Sequence, residues 1–318
     1  FLFSSTLFIR TFLALSASHW LIIWVALELN IISFIPLIIF SSWHQETEAS
    51  IKYFLFQALG SSLLLLGSYA PSFFFLIILG IIVKLGIAPF HYWFPSVINS
   101  IRWPICLLLT TWQKIVPLFI LISIATTLSS SICLAIASLN TIVGGLGGLN
   151  QTQIRPLLAY SSIRHIGWII AASPISSFIR ATYFLIYTLT SITLFLYLFF
   201  LNSRTPKLFS STVISNFLRL FTLSLLLLSL GGLPPLTGFL PKWLVIASLD
   251  SLVTPIFLIL GSLINLFYYL NICLSSALRK RNPILTSSSS LSSFPLFIIS
   301  TLLLPIFFVY ALILLNQP

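Results

Sequence analysis

Five residues in this chain could hold and release protons, and all five stand where charge is costly. Glu28 lies in "WVALELNIISF", Lys84 in "IIVKLGIAPF", Lys114 in "TTWQKIVPLF", His165 in "LLAYSSIRHIGWII" and Lys242 in "GFLPKWLVI". An ionised side chain at mid-bilayer costs at least ~2.5–3.5 kcal/mol, so such residues default to function. Burial weakens a lysine's hold on its proton, and a nearby carboxylate restores it. A lysine whose carboxylate partner can approach or withdraw is therefore a proton site of adjustable affinity. That is the chemistry of a relay. No Ser–His–Asp or Cys–His arrangement accompanies these residues, so nucleophilic catalysis does not fit. The structural alternative is a set of interhelical ion pairs that only holds a bundle together.

The neighbouring polar residues are less specific. Ser161 and Ser162 share a helical face with His165, which suits either a relay between the flanking lysines or a hydrogen-bonded packing histidine. His91 follows the proline at position 89 and suits the exit of a path. His19 and His44 fall in loops and read as solvated. Arg164, in mid-span, is expected to reach a neighbouring loop or a lipid headgroup.

The surroundings of these residues fix the fold class. Of 318 residues, 58% are hydrophobic and 6% charged, whereas soluble domains carry about 25% charged residues. A single water-soluble core is excluded. Apolar runs of about 20 residues recur along the chain, which indicates an all-α polytopic membrane protein. Strands of a β-barrel would alternate, and these runs do not. The net charge of +11 forms no stripe suited to nucleic acid; it reads as basic loops gathered on one side of a membrane. Cys106, Cys133 and Cys273 stand alone, without metal or redox spacing. "GGLGGL" at 144–149 lacks the spacing and preceding strand of a dinucleotide loop, and small residues there suit close helix packing. No site for NADH, flavin or metal is read from the sequence.

About eleven spans are expected in one membrane domain: 2–17, 20–40, 48–69, 73–94, 103–125, 131–147, 152–172, 178–201, 217–249, 252–277 and 296–315. A basic, serine-rich linker, "SALRKRNPILTSSSSLSS", precedes the last. Alternate connections hold His44, Arg102, Arg155, Arg204, Lys207 and the Arg279-Lys280-Arg281 cluster, while the opposite ones are nearly free of basic residues. The N-terminus belongs on the basic side and the C-terminus opposite.

The ninth span has 33 positions. At ~1.5 Å per residue it would reach ~50 Å, against a hydrocarbon core of about 30 Å. Gly231, Gly232, Pro234 and Pro235 predict a break, with 231–238 non-helical and the helix resuming before Lys242. Freed carbonyls there are expected to face neighbouring helices or water. Gly86, Pro89 and Pro95 predict a similar break just after Lys84. Two interrupted helices five spans apart suggest an inverted repeat of five-helix units, 1–125 and 131–277, followed by a final helix at 296–315. Glu28 and Lys84 are 56 positions apart, and the cost of a lone buried ion predicts that they meet.

Taken in order, "LELN", "KLGIAPFHYWFP", "TWQKIVP", "AYSSIRHIGW" and "GGLPPLTGFLPKW" resemble the mitochondrial NADH dehydrogenase subunit 2 family, one of the antiporter-like membrane subunits of respiratory complex I. Positions that often hold Met in that family hold Leu or Ile here, and Arg164 replaces a small or polar residue. The resemblance implies that Glu28 and Lys84 form the family's glutamate–lysine pair. It further implies that Lys114 is the central lysine between the repeats, that His165 connects the half-channels, and that Lys242 belongs to the second broken helix. It implies a proton-translocating subunit with no cofactor of its own, NADH, FMN, iron–sulfur clusters and ubiquinone belonging to other subunits. The implied partners are other membrane subunits of the complex and phospholipids, without nucleic acid. The implied location is the mitochondrial inner membrane, basic side to the matrix. Two other readings stay open: a stand-alone antiporter exchanging Na⁺ or K⁺ for H⁺, and a non-pumping scaffold.

Overall fold

The computed structural model describes residues 2–40, 43–69, 73–125, 129–200, 217–234, 236–249, 251 and 253–278. The expected last span, the 279–281 cluster, Arg204, Lys207 and Pro235 lie outside these residues. All regular structure among the described residues is helical. The helices are α1 (Leu2–Ser16), α2 (Trp20–Ile38), α3 (His44–Tyr69), α4 (Phe74–Leu85), α5 (Trp93–Ser100), α6 (Trp103–Thr110) and α7 (Ile115–Ala125). They continue with α8 (Ser130–Leu149), α9 (Ile154–Ala171), α10 (Ser177–Phe200), α11 (Phe217–Gly231), α12 (Phe239–Ala247) and α13 (Val253–Leu278). Among the described residues, six helical segments are long and apolar enough to cross a membrane by length and composition. Large apolar side chains such as Ile51, Leu55, Ile256, Leu263 and Phe267 point outward, which suits a bilayer as the surrounding solvent.

Both predicted breaks are present. α4 ends at Gly86, whose φ of 66° is the left-handed conformation that favours glycine. The carbonyls freed there meet neutral donors. Val83 O accepts from Trp93 Nε1 at 3.1 Å and Lys84 O from Gln57 Nε2 at 3.1 Å, while Ile82 O accepts from the Ile87 amide at 3.0 Å. α11 ends at Gly231, Gly232 follows with φ 80°, and helix resumes at Phe239, before Lys242.

A third interruption was not expected. The span 103–125 reads as one helix in the sequence, yet it divides at Thr111 and a 3₁₀ turn, Trp112–Lys114. Pro117 supplies a cause: it offers no amide to the carbonyl of Gln113, and its ring crowds that carbonyl. Lys114 therefore sits on distorted backbone, whereas Lys84 and Lys242 lie in regular helix beside their breaks.

Neighbouring helices approach closely where glycines face each other. A Cβ on Gly80 would come within 2.7 Å of Gly60 O, and one on Gly145 within 3.1 Å of Gly261 O. The glycine run at 144–149 thus serves helix packing. The contacts follow one scheme twice. α1–α2, α2–α3, α3–α4, α4–α7 and α1–α7 pack together, and so do α8–α9, α9–α10, α10–α11, α11–α13 and α8–α13. The short pieces beyond the breaks behave alike, α5 against α3 and α9, α12 against α10 and α9. α9 is buried along nearly its whole length and receives contacts from both groups.

Candidate functional site

Lys84, Lys114, His165 and Lys242 are buried to 5% exposure or less, and Arg164 is wholly enclosed. α2 carries Glu28 and α4 carries Lys84. The charge of Glu28 reaches Lys84, but no direct ion pair joins them among the described residues. Glu28 Oε2 is buried without a protein hydrogen-bond partner.

Two residues beyond Glu28, Asn30 Nδ2 donates to Gln113 Oε1 at 2.9 Å, which ties α2 to the turn that carries Lys114. Lys114 Nζ lies 4.4 Å above the Phe94 ring, and Phe94 packs against Gly86 at the first break. The ammonium thus meets a π face in place of a carboxylate. One turn earlier, Tyr187 Oη donates to Thr110 O at 3.3 Å, and the Tyr187 and His165 rings are 5.0 Å apart between centroids.

His165 lies within electrostatic reach of Arg164, Lys242 and Lys114. Its Nε2 is 2.9 Å from Arg164 Nη2, and its Nδ1 is 3.0 Å from Tyr183 Oη. Arginine offers donors only, so Nε2 accepts and the ring hydrogen belongs on Nδ1, facing Tyr183.

The second break differs from the first in what fills it. Its freed carbonyls go to cations: Arg164 Nη2 donates to Leu230 O at 3.1 Å, and Lys242 Nζ donates to Gly231 O. The open C-terminus of a helix carries partial negative charge, which suits this arrangement. Asn265, with its amide oxygen turned toward Arg164, accepts from Nε at 2.9 Å.

The structure therefore brings Lys114, His165 and Lys242 into one cluster and places Glu28 near Lys84. His91 is buried at the first break, its ring 6.1 Å from that of Tyr160. Arg164 corrects the sequence reading, since it turns inward to a helix end and reaches neither loop nor lipid. Asn140 was missed. Its Oδ1 accepts from the Ala88 amide at 3.0 Å and its Nδ2 donates to Ile163 O at 2.6 Å, linking the first break to the helix of Arg164. A lone asparagine in the apolar run "LAIASLNTIV" was the available signal, as Asn265 was in "GSLINLFYYL".

The family described as "NADH:quinone oxidoreductase/Mrp antiporter, TM" matches residues 17–71 and 72–267. The chain belongs to this family.

Its relatives include the NADH-ubiquinone oxidoreductase chain 2 of Lumbricus terrestris, 43% identical over 286 residues and covering 86% of this chain and 85% of that protein. The chain 2 of Oryctolagus cuniculus is 36% identical, covering 95% of this chain and 94% of its own. Among solved structures, a chain of "Respiratory complex I from Thermus thermophilus with bound Aureothin" superposes with TM-score 0.75 at 26% identity, covering 92% of this chain and 75% of that one. A chain of the Mrp complex from Dietzia sp. shares the fold, with TM-score 0.76 at 18% identity, over 89% of this chain and 61% of that one.

In this member of the antiporter family, carboxylates are scarce. The sequence holds four Asp and Glu. Glu46 is bound by Arg102 Nε at 3.0 Å and Glu48 by Lys52 at 2.5 Å, and Asp250 lies outside the described residues. Among the described residues, Glu28 is the carboxylate whose charge reaches a buried lysine, Lys84.

Proposed function

We propose that this chain is the proton-translocating chain 2 of a mitochondrial NADH:ubiquinone oxidoreductase, and that it moves protons along Glu28, Lys84, Lys114, His165 and Lys242. The redox reaction proceeds on cofactors held by other subunits, and its free energy reaches this chain as a change of charge at one end of the line. Glu28 sets the proton affinity of Lys84 by moving toward or away from it. Lys114 and His165 pass the load between halves, and Lys242 is the far terminal. Arg164 gates His165, because Nε2 can take a proton only after the guanidinium withdraws. The two matched contact schemes support an inverted repeat of units 1–125 and 131–277, with α9 at their junction. We assign the end holding Arg102 and Arg155 to the matrix, by the positive-inside bias. Other membrane subunits of the complex are the partners of its outward faces.

The observation that carries this reading is the set of buried ionisable side chains: three lysines and a histidine, each lysine at or beside a helix interruption, with His165 in reach of Lys114 and Lys242. Ion pairs serving only to hold helices together would match each cation with a carboxylate, and the described residues do not.

The test is Lys84→Met in the assembled complex, with NADH oxidation and proton uptake measured together in sealed vesicles. The expected result is an assembled complex whose proton-to-electron ratio falls by the share of this subunit. An unchanged ratio would overturn the relay, and failure to assemble would favour the scaffold reading. Proton flux from the chain alone that depends on Na⁺ or K⁺ would favour the antiporter.

A further inference from the structure

Away from the buried lysines, one cation stands on the outside of the bundle. Arg10, half-buried on α1, reaches across to α2, where its Nη1 donates to Leu29 O at an exposed position. Leu29 is the central residue of the 19 that form α2. At ~1.5 Å per residue, that helix is about as long as the hydrocarbon core is thick, so its centre falls near mid-membrane. Ile9 and Leu13 on α1, and Leu29 and Ile32 on α2, are exposed apolar side chains. The guanidinium is therefore held on a greasy outer face, at the depth where charge is most costly.

Its countercharge does not come from this chain. A carbonyl accepts a hydrogen bond but does not neutralise a guanidinium, which keeps its charge. The sequence holds four Asp and Glu. Among the described residues, Glu46 pairs with Arg102 and Glu48 with Lys52, and no ion pair joins Glu28 to Arg10. The charge of Glu28 acts on Lys84. Asp250 follows α12, which packs on α9 and α10, whereas α1 packs on α2 and α7. Residues 201–216 and 279–318 contain neither Asp nor Glu. A lipid phosphate is excluded by depth, since the interface lies about 15 Å from the midplane and the guanidinium is tied to Leu29 O. What remains is a carboxylate carried to mid-membrane by another helix.

We propose that the α1–α2 face around Arg10 docks a transmembrane helix of another subunit, and that an Asp or Glu near the middle of that helix pairs with Arg10. This rests on the reading of the chain as one subunit of a membrane complex, and it adds the chemistry of one partner. The carboxylate accepts from the guanidinium nitrogens, while Ile9, Leu13, Leu29 and Ile32 pack against apolar turns on either side of it.

The test uses the assembled complex with Leu13, which shares a face of α1 with Arg10, replaced by benzoylphenylalanine. After illumination and digestion, the cross-linked peptide is identified by mass spectrometry. It should come from a transmembrane segment of another subunit, with an Asp or Glu within one helical turn of the cross-linked residue. A cross-link to lipid only, or to a helix lacking such a residue, would overturn the proposal. A second arm asks whether charge is what is recognised. Arg10→Gln keeps an amide donor and removes the charge, and Arg10→Lys keeps the charge. A carboxylate deprived of its cation in apolar surroundings takes up a proton, and that acid form reacts with dicyclohexylcarbodiimide. Labelling of the partner's Asp or Glu should rise about tenfold or more in Arg10→Gln and stay at the starting level in Arg10→Lys. Equal labelling in all three complexes would overturn the pairing. If Arg10→Gln does not assemble, the cross-link decides alone. Neither readout depends on pumping, so the Lys84→Met complex should give the same cross-link. A chain that runs alone on a native gel would defeat its reading as a subunit; a chain that assembles without the cross-link would defeat this inference only.

Discussion

Arg164 shows how one side chain can serve both architecture and chemistry. Its guanidinium answers Leu230 O, Asn265 and His165 Nε2 at once, and it is among the largest side chains fully enclosed in the bundle. Arg164→Ala would leave the Leu230 carbonyl unpaired, at about 1–3 kcal/mol. The expected outcome is faster amide exchange across residues 228–238 and a lower unfolding temperature of the complex, measured by hydrogen–deuterium exchange and calorimetry. Glu28→Gln should impair proton translocation less than Lys84→Met, because it alters the setting of the carrier and leaves the carrier in place; proton-to-electron ratios of the two variants decide this. The buried ionisable residues were legible because a charge in an apolar run contradicts its surroundings. Arg164 contradicted them equally, but its partner is a carbonyl freed 66 positions later, and nothing in the local sequence points to that carbonyl.

At the scale of elements, the three interruptions share one consequence, a lysine placed on or beside a helix end. Gly232 is strained for any other residue at φ 80°, and an added Cβ would press on Lys242 and lie 3.1 Å from Gly238 O. Gly232→Ala should cost about 1–2 kcal/mol and move Lys242 off its seat, seen as a loss of proton translocation larger than any loss of assembled complex. Pro117→Ala should act in the opposite sense on the backbone. Restoring the amide to Gln113 favours a continuous helix through Lys114, so the complex should be at least as heat-stable yet pump less. The first and last breaks were legible because glycine and proline cluster there. The middle one rests on Pro117 alone, and a single proline is a weak signal: Pro36 lies inside α2 without dividing it.

Across the whole molecule, two similar groups of helices meet on α9, the helix that carries Arg164 and His165. The membrane class and the broken helices could be read from hydropathy and Gly/Pro spacing, since both are local. The meeting of Lys114 with Phe94 and of Tyr187 with Thr110 could not, because those contacts join residues far apart in the chain. Glu28 Oε2, Lys114 Nζ and His91 Nδ1 are all buried without protein hydrogen-bond partners, and native proteins satisfy such atoms with water. A map of the assembled complex that resolves solvent should therefore show ordered water within hydrogen-bond distance of each. A dry, apolar enclosure around all three would break the continuity on which the relay depends.

The unequal filling of the last break also provides a spectroscopic handle. The Gly231 carbonyl is held by Lys242, whose charge is meant to come and go, whereas the Leu230 carbonyl beside it is held by Arg164, a guanidinium that keeps its charge. Carbon-13, oxygen-18 labelling of each carbonyl in turn would separate its amide I band from the rest of the protein. The Gly231 band should then shift in frequency during turnover as the ammonium discharges, whereas the Leu230 band, one peptide away, should respond only to the movement of Arg164 away from His165.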